Sequence, residues 1–582
     1  MKKDILLIFK THLDIGFTNY SKNVVESYMK KYIPNAIQVG YELKGSDTPF
    51  VWTVGSWLIW EALKNDDGTL EQAIKDGIIT WHALPFTTHT ETMSVKLFEY
   101  GLSLSQKLDE RFGKKTIAAK MTDVPGHTQA MVTLMANKGI EFMHIGVNEV
   151  APLPDVPPIF KWKCDDSFIT VMYCTSYGDT VDFGSFEVMF AHTLDNKGPQ
   201  SAEEIRKLYS NIKEKYPDAN IKAATLNDVA LRLREIKDIP VFDKEIGDTW
   251  IFATGSDPKK VGMYRELLRH YENVDYDCVD LTDNLLLVPE HTWGMDTKIY
   301  FNHPRDFYND EFAAYANHPD KIAIERSWQE QRDYVLNAQK VLGFTADYIL
   351  HEPDVSQMSK ISSTELDIEL SWQIFDNNDY KRFIRNYMQL DTENIIWGAY
   401  DYVKVGLPKY EGGIYSATVT EAYESNDNRW YKLEFPKEIV DKYGVPYYWV
   451  NVNGENLEIQ WFDKVASRIP QAAWLKVKGF DNKCEVRKLG RWIKPCDMVG
   501  SPLICATDYG VRSKNGEIIS LDSMLVAPYG RRLLDFETNP TGEDLYFNLY
   551  NNVFNTNFPM WYGDDTRFRF IIKNKTKRSK KR

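Results

Sequence analysis

Four short stretches carry histidines and carboxylates beside apolar runs. "LLIFKTHLDIG" supplies His12 and Asp14, and "IAAKMTDVPGH" supplies Asp123 and His127. "VMFAHTLDNKGP" supplies His192 and Asp195, and "NLLLVPEHTWG" supplies Glu290 and His291. Two histidines with two carboxylates form a donor set that suits Zn²⁺. Taken singly, each residue is ordinary: an Asp after a strand commonly caps a helix or makes a turn, and a His beside an apolar run is commonly a satisfied core residue. The shared placement is what points to a site. In parallel α/β folds the residues that follow strand C-terminal ends converge on one face. His12 and Asp14 are two residues apart, so in a strand-like segment they project to the same side.

The elements that must position these residues are legible from the pattern. Up to about residue 290, short apolar runs ("DILLIF", "FVWTV", "IITWHAL", "TIAAKM", "EFMHIGV", "FITVMY", "IKAAT", "TWIFAT") alternate with amphipathic stretches such as "SAEEIRKLYSNIKEKY" and "DPKKVGMYRELLRHYENV". That alternation predicts a parallel sheet flanked by helices, as a barrel or a doubly wound sheet. From about 307 to 345 the spacing is helical. After about 365, runs such as "WYKLEF", "YYWVNV", "LEIQWF" and "LYFNLYNNVF" sit between turn residues, which predicts an antiparallel β-sandwich. No GxGxxG or GxxxxGK[ST] follows the early strands, so no nucleotide site is expected.

Length and composition narrow the classes. The chain has 582 residues, too many for one core. No apolar run reaches the roughly 20 residues needed to span a bilayer. "ILLIF" after "MKK" is too short for a signal peptide and has no small-residue cleavage site, so it is read as a first core strand of a cytoplasmic protein. A net charge of −13 argues against nucleic acid, and the basic "KNKTKRSKKR" reads as a solvated tail. Six cysteines lack CxxC spacing and read as buried free thiols.

"THLDIGFT" resembles the H-x-D-x-G-[WF] stretch that opens the catalytic domain of glycoside hydrolase family 38, the α-mannosidases. "MTDVPGHTQAM" is similar to that family's nucleophile motif. "GIEFMHIGVNE" with "IFKWKCDDSFITVMY", "TWIFATGSDPKKVGMYREL", "FDKVASRIPQAAWL" and "LYNNVFNTNFPMW" resemble later segments in the same order. The sequence departs from the pattern at Pro125, where the family has Phe, near Val147 and Asn148, where it has an arginine, and in "EHTWGMD", where Asp296 lies five residues beyond His291.

The resemblance implies an α/β plus all-β multidomain fold: a parallel β/α barrel-like catalytic domain over 1–290, a short helical bundle over 291–360 and a C-terminal antiparallel β-sandwich over 361–582. It implies one Zn²⁺ per chain on His12, Asp14, Asp123 and His291, with Asp123 also the nucleophile and Asp195 the acid/base. Phe17 matches the aromatic that stacks on the sugar, and His82 and His89, with Glu91, are candidates to line the substrate cleft. The expected activity is a zinc-dependent retaining α-glycosidase, most like an α-mannosidase, with a carbohydrate substrate, no membrane partner and a homo-oligomer open. A metal-dependent carbohydrate deacetylase and a non-catalytic carbohydrate-binding protein are the alternatives. Asp179 and Asp182 are competing acids. Asp257, before Pro258, reads as a helix N-cap, and Trp561 and Tyr562 as core.

Overall fold

The computed structural model describes residues 3–274, 279–344, 350–426, 428–480, 483–500, 504–505, 510–528, 530–534 and 545–574. Two compact units are present: residues 1–90, 95–244 and 290–292, and residues 91–94, 245–289 and 293–582.

The first unit holds strands β1 (Asp4–Thr11), β2 (Trp52–Gly55), β3 (Ile79–His82), β4 (Ala118–Asp123), β5 (Phe142–Val147), β6 (Ile159–Cys164), β7 (Ser167–Cys174), β8 (Val181–Asp182), β9 (Phe186–Thr193), β10 (Asn220–Ala223) and β11 (Val241–Phe242). They form two sheets, in the orders β3-β2-β1-β9-β8, with β10 also paired to β1, and β11-β6-β7-β5-β4. Pairing is parallel except for the short returns β6 and β8. The ladders do not close into one continuous barrel, but the Ala83 N–H donates to Ala118 O at 2.9 Å and links the β3 end of one sheet to the β4 edge of the other. Inward side chains of both sheets share a core: Leu6 and Ile8 of β1 meet Ala118, Phe142, Met172 and Val188. β1 is buried from Ile5 to Thr11, which explains its unbroken apolar run: parallel strands are covered on both faces. Helices Ala202–Lys215 and Leu226–Leu233 begin with reciprocal capping boxes, Ser201 with Glu204 and Thr225 with Asp228.

"TWIFAT" is a correction. It forms a 3₁₀ segment, Trp250–Ser256, rather than a strand. All seven residues of that segment are buried, and a short buried apolar run has no periodicity to separate helix from strand.

The second unit is β-rich. A ten-stranded and a six-stranded antiparallel sheet carry most of it, the larger including Asn428–Glu434, Tyr447–Asn453 and Asn456–Phe462, the smaller including Ile368–Ile374, Gln471–Val477 and Leu545–Asn551. Their facing rings interlock: Trp372 lies 5.8 Å from Trp461, and Phe547 lies 5.1 Å from Phe570. The long helix Pro319–Leu342 packs on Pro258–Glu272 and Val279–Leu287. Asp257 caps Pro258–Glu272 by accepting from the Lys260 N–H, and it also pairs with Arg332 at 2.7 Å. Trp561 is buried against Phe301, Phe312 and Trp328.

No helix of the described residues is long and apolar enough to cross a membrane. Cys164, Cys174 and Cys484 are buried free thiols. Cys278, the side chains of Cys496 and Cys505, and residues 575–582 of the basic run lie outside the described residues.

Candidate active site and metal centre

Strand ends of the first unit gather the chemistry. β1 runs into His12 and Asp14, β4 ends on Asp123, and the segment after β9 carries Asp195. His291 comes by a different route. The apolar run before it is the helix Val279–Leu287, and the chain then meets the first unit through a bridge between Thr88 and Glu290 and a bond from the His291 N–H to Thr87 O (3.3 Å).

His12, Asp14 and His291 offer ligand atoms that all lie within 4.8 Å of one another, and all three are buried. Asp14 Oδ1 lies 3.1 Å from both His12 Nε2 and His291 Nε2. Asp123 Oδ2 lies 3.5 Å from His291 Nε2. His12 Nε2, His291 Nε2 and Asp14 Oδ2 have no hydrogen-bond partner, although buried polar atoms are normally satisfied. The opposite ring nitrogens are held: His12 Nδ1 by Thr122 Oγ1 at 2.8 Å, and His291 Nδ1 by Glu290 Oε1 at 2.7 Å. With Nδ1–H donating outward, each Nε2 lone pair points at the cluster, as in metal-binding histidines. These residues therefore fit a divalent cation of the Zn²⁺ type.

Electrostatics separates the carboxyls. Burial raises the Asp14 carboxyl, but the facing His12 and His291 outweigh that and hold it well below the usual range. Asp123 follows the same balance and is also lowered, burial being outweighed by the nearby His291 and His12. Asp195 goes the other way: burial first, then the charges of Asp14 and Asp123, push it up to about 6.

Sequence reasoning missed Tyr177. Its hydroxyl lies 2.8 Å from Asp123 Oδ1 and 3.3 Å from Asp195 Oδ1, so it joins the two carboxyls. Burial and the neighbouring carboxylates keep the phenol protonated. The loop that carries it is fixed from below: Lys10, itself buried, donates through Nζ to Tyr177 O. Gly146 on β5 makes room for that loop, since a Cβ there would sit 2.7 Å from Ser176 O and 2.8 Å from Tyr177 O. A lone Tyr among 33 carries no signal in the sequence.

Asn148 and Asn196 also escaped the sequence analysis. Asn148 Nδ2 donates to Asp123 Oδ1 at 3.1 Å, close to where the family resemblance would place an arginine. Asn196 clamps the loop after β1: its side chain accepts from the Asp14 N–H (3.1 Å) and donates to Asp14 O (3.1 Å) and Gly16 O (3.2 Å). Within that loop Phe17 is half-buried with φ 58°, and Asp123 has φ 82°, both in the region L side chains avoid. Such outliers cluster at functional sites because the surroundings must hold them.

His82 is buried and lines a void of about 20 Å³ with Lys120, Thr11 and Thr87. Burial, with Lys120 and Lys10 nearby, keeps it neutral. His89 is buried beside His127. Glu91 belongs to the second unit and pairs with Lys488 at 2.9 Å, in a buried group completed by Glu245. Asp179 accepts from Thr175 and Ser176 as a turn residue, and Asp182 pairs with Lys3. Asp296 caps the short helix Thr297–Tyr300.

None of the curated proteins compared matches this chain. A family described as a domain of unknown function (DUF5054) matches residues 254–352. Among solved structures, an α-mannosidase from Enterococcus faecalis V583 is similar at 8% sequence identity with a TM-score of 0.62, over 100% of this chain and 88% of that one. A glycosyl hydrolase family 38 protein from Enterococcus faecalis is similar at 8% identity with a TM-score of 0.57, over 100% and 87% of the two chains. The chain thus has a fold like that of glycosyl hydrolase family 38 structures, a likeness that concerns the fold alone.

Proposed function

We propose that the chain is a metal-dependent retaining α-glycosidase acting on α-mannosides, with Asp123 as nucleophile and Asp195 as acid/base. One observation carries the reading. Because one hydroxyl lies 2.8 Å from Asp123 Oδ1 and 3.3 Å from Asp195 Oδ1, those oxygens are within about 6 Å of each other. Retaining glycosidases keep their carboxyls about 5–5.5 Å apart, whereas inverting ones need about 6.5–9.5 Å to admit a water.

His12, Asp14, Asp123 and His291 would hold Zn²⁺. When bound, the ion would orient the sugar's 2- and 3-hydroxyls and offset the charge that develops as the glycosidic bond breaks. Asp123, ionised, attacks the anomeric carbon. Asp195, protonated, gives its proton to the departing oxygen and then takes one from the water that releases the sugar. The Tyr177 hydroxyl donates mainly to Asp123 Oδ1 at 2.8 Å and, at the longer 3.3 Å, shares its proton with Asp195 Oδ1. Phe17, turned by the Gly16–Phe17 backbone, offers an apolar face to the sugar ring.

The reading is tested with a panel of chromogenic α- and β-glycosides, with and without chelator. It expects hydrolysis of the α-mannoside, lost on chelation and restored by Zn²⁺. Turnover unaffected by chelator in a metal-free preparation would remove the metal from the reaction.

A further inference from the structure

We propose that the second unit carries a separate ligand site, for an oxyanion group borne on a sugar-sized ring. A cleft of about 290 Å³ opens there, bounded by the segments near 297–307 and 397–405 and by Arg468 and Met560. Its floor is cationic. Lys404 is 4% exposed and Arg468 3% exposed. Lys404 Nζ donates only to uncharged acceptors, Arg468 O at 2.8 Å and Met560 O at 3.3 Å. Arg468 Nη1 donates to Arg305 O at 2.9 Å, while its Nε has no partner.

No carboxylate stands within ion-pair distance of either cation among the described residues. The acids around the cleft are committed elsewhere. Asp401 and Asp296 pair with Lys298, and Asp306, the acid whose charge reaches Arg468, accepts from the Tyr315 hydroxyl at 2.7 Å. The Arg468 guanidinium lies over the rings of Phe301 and Phe307, 5.0 and 4.6 Å from their centroids, but neither it nor Lys404 has a counter-ion, so desolvation is not offset by a partner charge. Burial pushes Lys404 well below its usual range and Arg468 down to about 10, and an anion bound in the cleft would favour the charged form of each.

At the mouth, Trp397 is 57% exposed, an unusual place for a large indole in a chain that buries most of its tryptophans. A cationic floor that takes an oxyanion and an open aromatic wall that takes a ring together describe an anionic sugar, either a sugar phosphate or a uronate. A neutral glycan would leave Lys404 and Arg468 uncompensated. The site is independent of the glycosidase reading, since it shares no residue with it.

The test is calorimetric titration of the full chain with inorganic phosphate, glucose 6-phosphate, glucuronate and glucose. Glucose 6-phosphate or glucuronate should bind more tightly than inorganic phosphate, the tighter of the two naming the source of the oxyanion, and glucose should not bind. Lys404→Met, which keeps the volume, should abolish binding of every anion. Trp397→Ala, on an exposed residue whose loss spares the fold, should weaken the ring-bearing anion on the order of tenfold and leave inorganic phosphate unchanged. No saturable binding of any of the three anions by the wild-type protein, or binding undisturbed by both substitutions, would overturn the proposal.

Discussion

Tyr177→Phe removes one oxygen from the candidate site and nothing else. In the wild type that hydroxyl donates to Asp123 Oδ1 at 2.8 Å, and a hydrogen bond to a charged group contributes about 1.5–3 kcal/mol. One pH unit corresponds to about 1.36 kcal/mol, so losing the bond raises the Asp123 pKa by about one to two units. Asp123 starts below the ordinary carboxylate range. The acid limb of kcat/KM should therefore rise out of that low range to a pH where it can be measured directly. The contact with Asp195 is longer, 3.3 Å, and lowers that carboxyl less than its other neighbours shift it. The alkaline limb should move up too, by a smaller step. The assay is kcat/KM for a chromogenic α-mannoside across pH in both proteins, with circular dichroism to confirm the fold. Two limbs that stay where the wild type has them would refute the claim that Tyr177 joins the two carboxyls.

Other outcomes follow from the same geometry. Glu290→Gln replaces the carboxylate that fixes His291 Nδ1 at 2.7 Å, and metal affinity measured by competition with a chelator should fall about 10–100-fold; unchanged affinity would mean His291 is not a ligand. A catalytic acid must hold its proton, and Asp195 is held up to about 6, so wild-type kcat/KM should decline as pH rises through that value. In Asp195→Asn that alkaline limb should vanish, and its survival would assign the acid to another group. Lys488→Met leaves Glu91 and Glu245 buried without their shared cation, which should cost about 3–5 kcal/mol of unfolding free energy in denaturant melts. A loss under about 1 kcal/mol would show the group to be as weak as a surface pair.

The sequence made half of the candidate site readable. His12, Asp14, Asp123 and Asp195 stand where apolar runs end, and the structure puts those runs in β1, β4 and β9 of one unit. The apolar run before His291 looks like the others, yet it is a helix, because a run that short carries no period. Tyr177, Asn148 and Asn196 could not be found by pattern: each acts through a contact made by folding, and none is a residue type that announces chemistry. Glu91 falls in the second unit, although its sequence neighbours His82 and His89 lie in the first. The left-handed backbone at Phe17 left no mark in the letters, since φ > 0 is normally advertised by glycine, asparagine or aspartate. The parallel and antiparallel textures were legible as alternation patterns. The break between the two sheets of the first unit was not, because closure depends on strand tilt and stagger.

The most direct measurement is the mass of the protein after reaction with a slow 5-fluoro α-mannoside, followed by peptide mapping. The account predicts a mass increase of one 5-fluorohexosyl residue on the peptide that contains Asp123, formed only when divalent metal is present. Steady hydrolysis without any such adduct, or an adduct on another carboxylate, would contradict it.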